Sequence, residues 1–178
     1  MKYKLEEIVD LKIGRTPPRK EFHWFNENGV GYKWVSIKDM GLAGRYISDT
    51  TEYLTKDAQT NFGIPIVEEG TILLSFKLTI GRLCITTDKM LTNEAIAQLP
   101  IKDETIVNRD YLYYYLKNYN FSQLGSTSSI ATAINSSYLK KMTVDLPAID
   151  RQKRIATILS SIDDKIELNN RINNNLTA

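Results

Sequence analysis

Tyr32-Lys33-Trp34-Val35-Ser36-Ile37 alternates its side chains, is built of aromatic and β-branched residues, and lies between Gly29/Gly31 and Gly41/Gly44. That is the pattern of a half-buried strand. Thr71-Ile72-Leu73-Leu74-Ser75-Phe76, entered through Glu69-Gly70, predicts a second strand, and Arg82-Leu83-Cys84-Ile85-Thr86-Thr87, begun after Gly81, a third. Short apolar runs punctuated by glycine point to a mostly β unit interrupted by loops. Residues 5 to 13 fit either a short helix or a strand, and Gly14-Arg15-Thr16-Pro17-Pro18-Arg19-Lys20 breaks either one as an exposed basic loop.

Helical periods take over later in the chain. Asn108 to Lys117 places Tyr111, Leu112, Tyr115 and Leu116 on one face. Tyrosines at this spacing read as core and boundary packing, with base stacking as the alternative. Gly125-Ser126-Thr127-Ser128-Ser129 is a small polar loop, and Ile130, Ile134, Tyr138 and Leu139 after it suggest a short helix or turn packed on the sheet. Leu146-Pro147 closes the globular part. From about Asp150, Ile155, Leu159, Ile162 and Ile166 recur at steps of four, three and four, continuing through Asn169 and Asn173 to Leu176.

This is a heptad seam, and about 25 helical residues would run about 38 Å. The alternative is a helix folded back on its own domain. Two seam asparagines would be costly in a dry core, whereas in coiled coils they fix register and partner number. A protein partner is therefore the expectation. The fold class expected is α+β: a mostly β domain with short helices over residues 1–147, then one long coiled-coil helix over 148–178.

Composition narrows the function. The 178 residues suffice for one domain with a real core plus an appendage, and the apolar and charged fractions, 42% and 25%, are those of a folded globular chain. No apolar run approaches the roughly 20 residues of a membrane span, and Met1-Lys2-Tyr3-Lys4-Leu5-Glu6-Glu7 lacks a secretory h-region, so a cytoplasmic place is expected, with no membrane partner. Cys84 is the one cysteine, which excludes an intrachain disulfide and a thiolate zinc cluster. The net charge of +2 is uninformative, but between Lys12 and Arg45 seven basic residues stand against three acidic ones.

Catalytic patterns are missing. His23 is the only histidine and reads as a loop residue. Neither a Gly-x-Ser-x-Gly elbow nor a phosphate-binding glycine loop occurs. Glu6-Glu7, Glu68-Glu69 and Asp163-Asp164 are adjacent pairs, which do not face each other on a helix or strand. No Asn/Asp-Pro-Pro-aromatic motif of an amino-methyltransferase is present. The chain is expected to be no enzyme, with no metal and no cofactor of its own.

Several short landmarks stand in a definite order. They are Gly14-Arg15-Thr16-Pro17 followed by His23-Trp24; Trp34-Val35-Ser36 followed by Asp39; Gly70 to Ser75 leading to Ile80-Gly81; Thr92-Asn93-Glu94; Tyr111-Leu112; Gly125-Ser126-Thr127 with Ile134 and Leu139; and Leu146-Pro147 leading to Gln152, Ile155, Leu159, Ile162 and Asp163. In this order the chain resembles, over nearly its whole length, the specificity subunits of type I restriction-modification enzymes. Arg151 before Gln152 departs from the family, which commonly has an acid there.

The resemblance implies a target-recognition domain that reads one half of a split double-stranded DNA site, and a long helix that acts as a spacer between two such domains. It implies as partners a modification subunit, which methylates adenine with S-adenosylmethionine, and a restriction subunit. Complete family subunits carry two recognition domains and two helices. One of each here implies a natural half-subunit or a piece of a longer one, either of which would restore the pair as a homodimer through the 148–178 helix and read an inverted repeat.

Candidates for DNA contact are Arg15, Thr16, Arg19, Lys20 and His23 in the first loop, and Lys38 after the first strand. Lys77, Thr79 and Arg82 around the Phe76–Gly81 turn and Ser126, Thr127, Ser128 and Ser129 complete the set. Two other classes remain open: a coiled-coil interaction protein without DNA specificity, and a standalone small nuclease.

Overall fold

A computed structural model describes residues 1–121 and 134–176. Three sheets organise it. β1 (Lys2–Lys4) pairs antiparallel with β11 (Thr143–Asp145), which brings the start of the chain beside the end of the globular part. A five-stranded sheet has the order β2 (Lys12–Ile13), β10 (Ile96–Leu99), β7 (Ile72–Ser75), β8 (Leu83–Thr86), β5 (Tyr46–Ile47). A four-stranded sheet runs β3 (Phe25–Asn26), β6 (Glu52–Leu54), β4 (Tyr32–Val35), β9 (Met90–Thr92). Short helices α1 (Leu5–Ile8), α2 (Ile37–Leu42), α3 (Lys56–Asn61), α4 (Arg109–Lys117) and α5 (Ser136–Lys141) pack around them, and α6 (Ile149–Leu176) follows. The architecture is mixed, with mostly sheet ahead of one long helix. Among the described residues, no helix is long and apolar enough to cross a membrane.

The continuous apolar run of β7 is explained by its place between two cores. Ile72 and Leu74 face a core that includes Leu5, Ile8, Leu112 and Leu116, while Leu73 faces a second, with Val35, Met40 and Met90. Burial on both faces removes the alternation that a half-buried strand would show. A third cluster, around Trp34, Leu54 and Leu91, holds the smaller sheet together.

The strand expected over 32–37 ends two residues early. The Ser36 hydroxyl accepts from the Asp39 N–H at 3.3 Å, while the Asp39 carboxylate accepts from the Ser36 N–H at 2.8 Å. This reciprocal cap turns the chain into α2 at Ile37. Asp39 also accepts from the Thr51 N–H and hydroxyl, at 3.0 and 2.7 Å. Burial pushes its pKa up, but these hydrogen bonds outweigh burial and hold it below the usual carboxylate value. Residues 5–13 become both helix and strand, as α1 and β2.

The helix expected from Asn108 is α4, with the Asn108 side chain accepting from the Tyr111 N–H at 2.9 Å. Tyr113 is buried along with Leu112 and Leu116, so the packed face is broader than the four residues first assigned. Its ring helps enclose Arg45, a buried guanidinium 3.1 Å from Asp110 with Tyr46 and Tyr114 rings alongside. Tyr111 and Tyr115 are half-buried, in keeping with a packing role for the tyrosines. Within the segment expected to pack after the polar loop, Ile134 and Leu139 are buried and Tyr138 is exposed, while Ile130 lies outside the described residues.

The 28 residues of α6 extend about 42 Å at 1.5 Å per residue. Its first half packs on α4. Gln152 is buried, accepts from the Asn108 N–H at 2.9 Å, and donates to the Ile106 and Pro147 carbonyls at 2.9 and 2.8 Å. Ala156 is buried, and Asp163 accepts from the Tyr114 hydroxyl at 2.9 Å with Lys117 at 3.6 Å. Folding back thus describes one side of α6 as far as Asp163. On another side Ile158, Ile162, Ile166 and Ile172 remain exposed.

Candidate nucleic-acid interface

The strand registers bring four distant segments to one rim. Ile13 lies opposite Ala97, Ile96 opposite Ser75, Leu74 opposite Leu83, and Val35 beside Thr92. The C-terminal ends of β2, β4, β7 and β9 therefore gather with the N-terminal ends of β8 and β10. The two sheets are joined there by the backbone bond from Arg15 N–H to the Thr92 carbonyl (3.0 Å), while Asn93 N–H to Val35 (3.2 Å) ties β9 to β4 within the smaller sheet and Phe76 N–H to Ala95 (3.0 Å) ties β7 to β10 within the larger. Residues 14–18, 36–38, 76–82 and 93–95 form the rim, like the loop end of any sheet scaffold.

Each rim segment is held differently. Arg15 is exposed and donates from Nη1 to the Phe62 carbonyl at 2.7 Å, while its own carbonyl accepts from the Trp34 indole at 3.3 Å. Thr16 donates to the Glu94 carboxylate. Ser75, fully buried, donates to the Thr79 carbonyl and accepts from the Arg82 N–H at 3.0 Å, which closes the 76–81 turn. Arg82 then reaches across to the Ile37 carbonyl at 2.6 Å and so ties that turn to α2, where Lys38 is exposed. The structure thus brings together Arg15, Thr16, Lys38, Lys77, Thr79 and Arg82, with Arg82 engaged as a strut.

Arg19, Lys20 and His23 stand to one side of the rim. Arg19 makes a two-pronged contact with Glu52, at 2.6 and 2.9 Å, and lies 4.5 and 4.6 Å from the Phe25 and Trp34 ring centres. Its charge is matched and its plane stacked, which makes it a staple on the smaller sheet. His23 packs against Trp24 with ring centres 4.1 Å apart, and Lys20 is exposed. Ser126, Thr127, Ser128 and Ser129 lie outside the described residues. Phe121 on the near side of that segment approaches Gly81, and on the far side the Ile134 N–H donates to the Phe76 carbonyl at 2.8 Å. Both flanks are at the 76–81 turn.

Asn93 and Glu94 also belong to the rim, although sequence reasoning assigned them no contact. The Asn93 side chain accepts from the Ala95 N–H at 3.0 Å and sets the bend before β10. A polar trio, Thr92-Asn93-Glu94, between two apolar runs was the available signal. Cys84 offers no nucleophile, since burial pushes its thiol up to about 12.

Along the expected seam, Ile155 and Leu159 are half-buried and, with the more exposed Ile162 at its edge, line a groove of about 770 Å³ between α4 and α6, with Tyr111, Tyr114, Tyr115 and Tyr119 opposite. Ile162 and Ile166 are 49% and 53% exposed, and Asn169 and Asn173 are exposed. The side chain of Leu176 lies outside the described residues. Ile158 and Ile172 widen the apolar stripe beyond the seven positions of the seam.

Comparison with known proteins gives a consistent picture. The family described as type I restriction modification DNA specificity domain matches residues 1–178. The chain is 30% identical over 169 residues to the type I restriction enzyme MjaIX specificity subunit of Methanocaldococcus jannaschii, covering 92% of this chain and 38% of that protein. The MjaVIII specificity subunit of the same organism is 28% identical over 175 residues, covering 93% and 40%. The crystal structure of the HsdS subunit from Thermoanaerobacter tengcongensis superposes with a TM-score of 0.71 at 21% identity, over 97% of this chain and 39% of that one. The chain thus spans about two-fifths of the length of these relatives.

Proposed function

The chain belongs to the family of type I restriction-modification DNA specificity domains, and from this we propose that it reads one half of a bipartite double-stranded DNA target through the rim. The observation that carries the reading is the convergence of Arg15, Thr16, Lys38, Lys77 and Thr79, from segments far apart in the chain, on one edge of the sheets. Lys38 and Lys77, with Lys20 beside them, neutralise phosphates and supply salt-dependent affinity. Arg15 and the hydroxyls of Thr16 and Thr79 reach base edges, while Arg19 and Arg82 keep the loops in place. The names of the relatives, specificity subunits, support a chain that reads and does not catalyse. Methyl transfer from S-adenosylmethionine and DNA cleavage then belong to modification and restriction subunits, in the cytoplasm.

Residues 1–147 act in this reading as the recognition domain and 148–178 as the spacer. The exposed stripe on α6 is covered by the same helix of a second copy as a coiled coil. A span of two-fifths of the relatives' length is what one of two repeated halves would occupy. Two-fold pairing presents two identical rims, so the target is an inverted repeat with a fixed gap.

The test is to purify the chain with a type I modification subunit and map methylated adenines in DNA exposed to the assembly. Methylation confined to a split, symmetric motif is expected; methylation without a motif would overturn the reading. The rim has its own check. Lys20→Ala, Lys38→Ala and Lys77→Ala together should lower the slope of log affinity against log salt by about 2 to 3, at roughly 0.9 per phosphate contact. Equal slopes would favour an interaction protein that works through α6 alone.

A further inference from the structure

Leu78 sits at the tip of the 76–81 turn with φ at 63°, and it is the one residue other than glycine with positive φ among the described residues. A branched side chain in that region crowds its own backbone, whereas glycine would occupy it freely. Nothing is gained in burial, because Leu78 is 73% exposed. A single exposed leucine is ordinary, but an exposed leucine held in a strained conformation is not.

The turn enforces this conformation. The buried Ser75 hydroxyl is bonded to the Thr79 carbonyl and the Arg82 N–H, and the Ser75 carbonyl accepts from the Gly81 N–H at 2.9 Å. Phe76 is anchored on one side by the Ala95 carbonyl and on the other by the Ile134 N–H. The result is a rigid projection with an aliphatic tip between Lys77 and Thr79.

We propose that Leu78 is a specificity-determining side chain that reads a thymine by apolar contact with its C5-methyl group in the major groove. Of the features that base pairs present there, the methyl is the one an aliphatic group recognises; the rest are hydrogen-bond donors and acceptors. Lys77 on one side, through a phosphate, and the Thr79 hydroxyl on the other, through a base edge, seat the tip. A tip preorganised by its own backbone spends little ordering entropy on contact. This inference rests on the DNA-reading function proposed above.

Leu78→Gly separates fold from recognition, since it relieves the backbone while removing the side chain. The variant should melt at the same temperature as the parent or higher. Leu78→Ala, which keeps the backbone strain, serves as the second variant. The full chain, assembled with a modification subunit, is used to select from randomised DNA duplexes. The parent should enrich a motif, and both variants should lose preference at one T·A pair while keeping the rest.

Replacing that thymine by uracil should then weaken the parent about fourfold, the worth of one buried methyl-sized group, and leave Leu78→Gly unaffected. An unchanged motif in both variants, or an equal response of parent and variant to uracil, overturns the inference. A parent that enriches no motif overturns the DNA-reading function itself, and the inference with it; that failure is seen in the parent alone.

Discussion

Ile162→Asp is expected to yield a folded chain that sediments as a monomer under conditions where the parent is a dimer. Ile162 is 49% exposed in the single chain, and the buried residues of α6 nearby, Gln152 and Ala156, are on the side facing α4. Although Ile162 borders the groove between α4 and α6, a carboxylate at that edge keeps access to water, so the isolated fold tolerates it and helicity should not change. In the proposed two-fold pair the same residue enters the apolar seam twice, beside Asp163. Burying an unpaired carboxylate costs about 2 kcal/mol or more each, after relaxation toward water. Two per dimer raise the dissociation constant by about three orders of magnitude. Sedimentation equilibrium across a concentration series measures this directly. A monomeric parent would remove the homodimer and leave α6 to some other partner, and a variant of unchanged mass would remove the seam through Ile162.

Gly14→Ala should be among the most damaging small substitutions in the globular part, at about 3 kcal/mol. Gly14 is buried where β2 passes into the rim, and a Cβ there would lie 2.0 Å from the Thr92 carbonyl oxygen and 2.2 Å from its hydroxyl. The obstacle is largely backbone, which cannot swing aside as a flexible side chain would. Separation has to break the Arg15 N–H bond to the Thr92 carbonyl, and it moves Thr16 away from Glu94. Both stability and DNA affinity should fall, read from the urea midpoint and from binding at low salt. Gly44→Ala is the control, because nothing lies within 4 Å of its Cβ position. Equal midpoints for the two variants would show that the close approach at Gly14 has no energetic weight.

On the proposed reading, the rim lets one scaffold carry different specificities. The segments that hold it together, Ser75, Asn93 and the backbone bonds between Arg15, Thr92, Val35 and Phe76, are separate from the side chains that point outward. Lys38, Lys77, Leu78 and Thr79 can vary without disturbing the bonds that close the turn. Arg19 belongs to the first group despite its charge, since Glu52 and two aromatic rings already satisfy it.

What the sequence determined by itself was local. β4, β7, β8, α4 and the run of α6 follow from alternation, short apolar runs entered through glycine, and helical period, which depend on residues within a turn or two of each other. The landmarks in order carried the family, the loop around Arg15 was legible as basic and exposed, and Lys38 and Lys77 were legible as candidate contacts. Partners across long separations were decided only in three dimensions. Leu73 is buried because Val35, Met40 and Met90 cover the second face of β7, and Tyr113 is buried where it packs beside Arg45, which is bonded to Asp110. Gln152 and Asp163 turned one side of the seam helix onto α4, through bonds to Asn108 and Tyr114. That Arg15, Arg19 and Arg82 each have a fixed partner came from Phe62, Glu52 and Ile37, each more than 30 residues away. Periodicity records which side of an element is hidden from water, but what hides it is set by sheet order and long-range hydrogen bonds, which leave no local pattern.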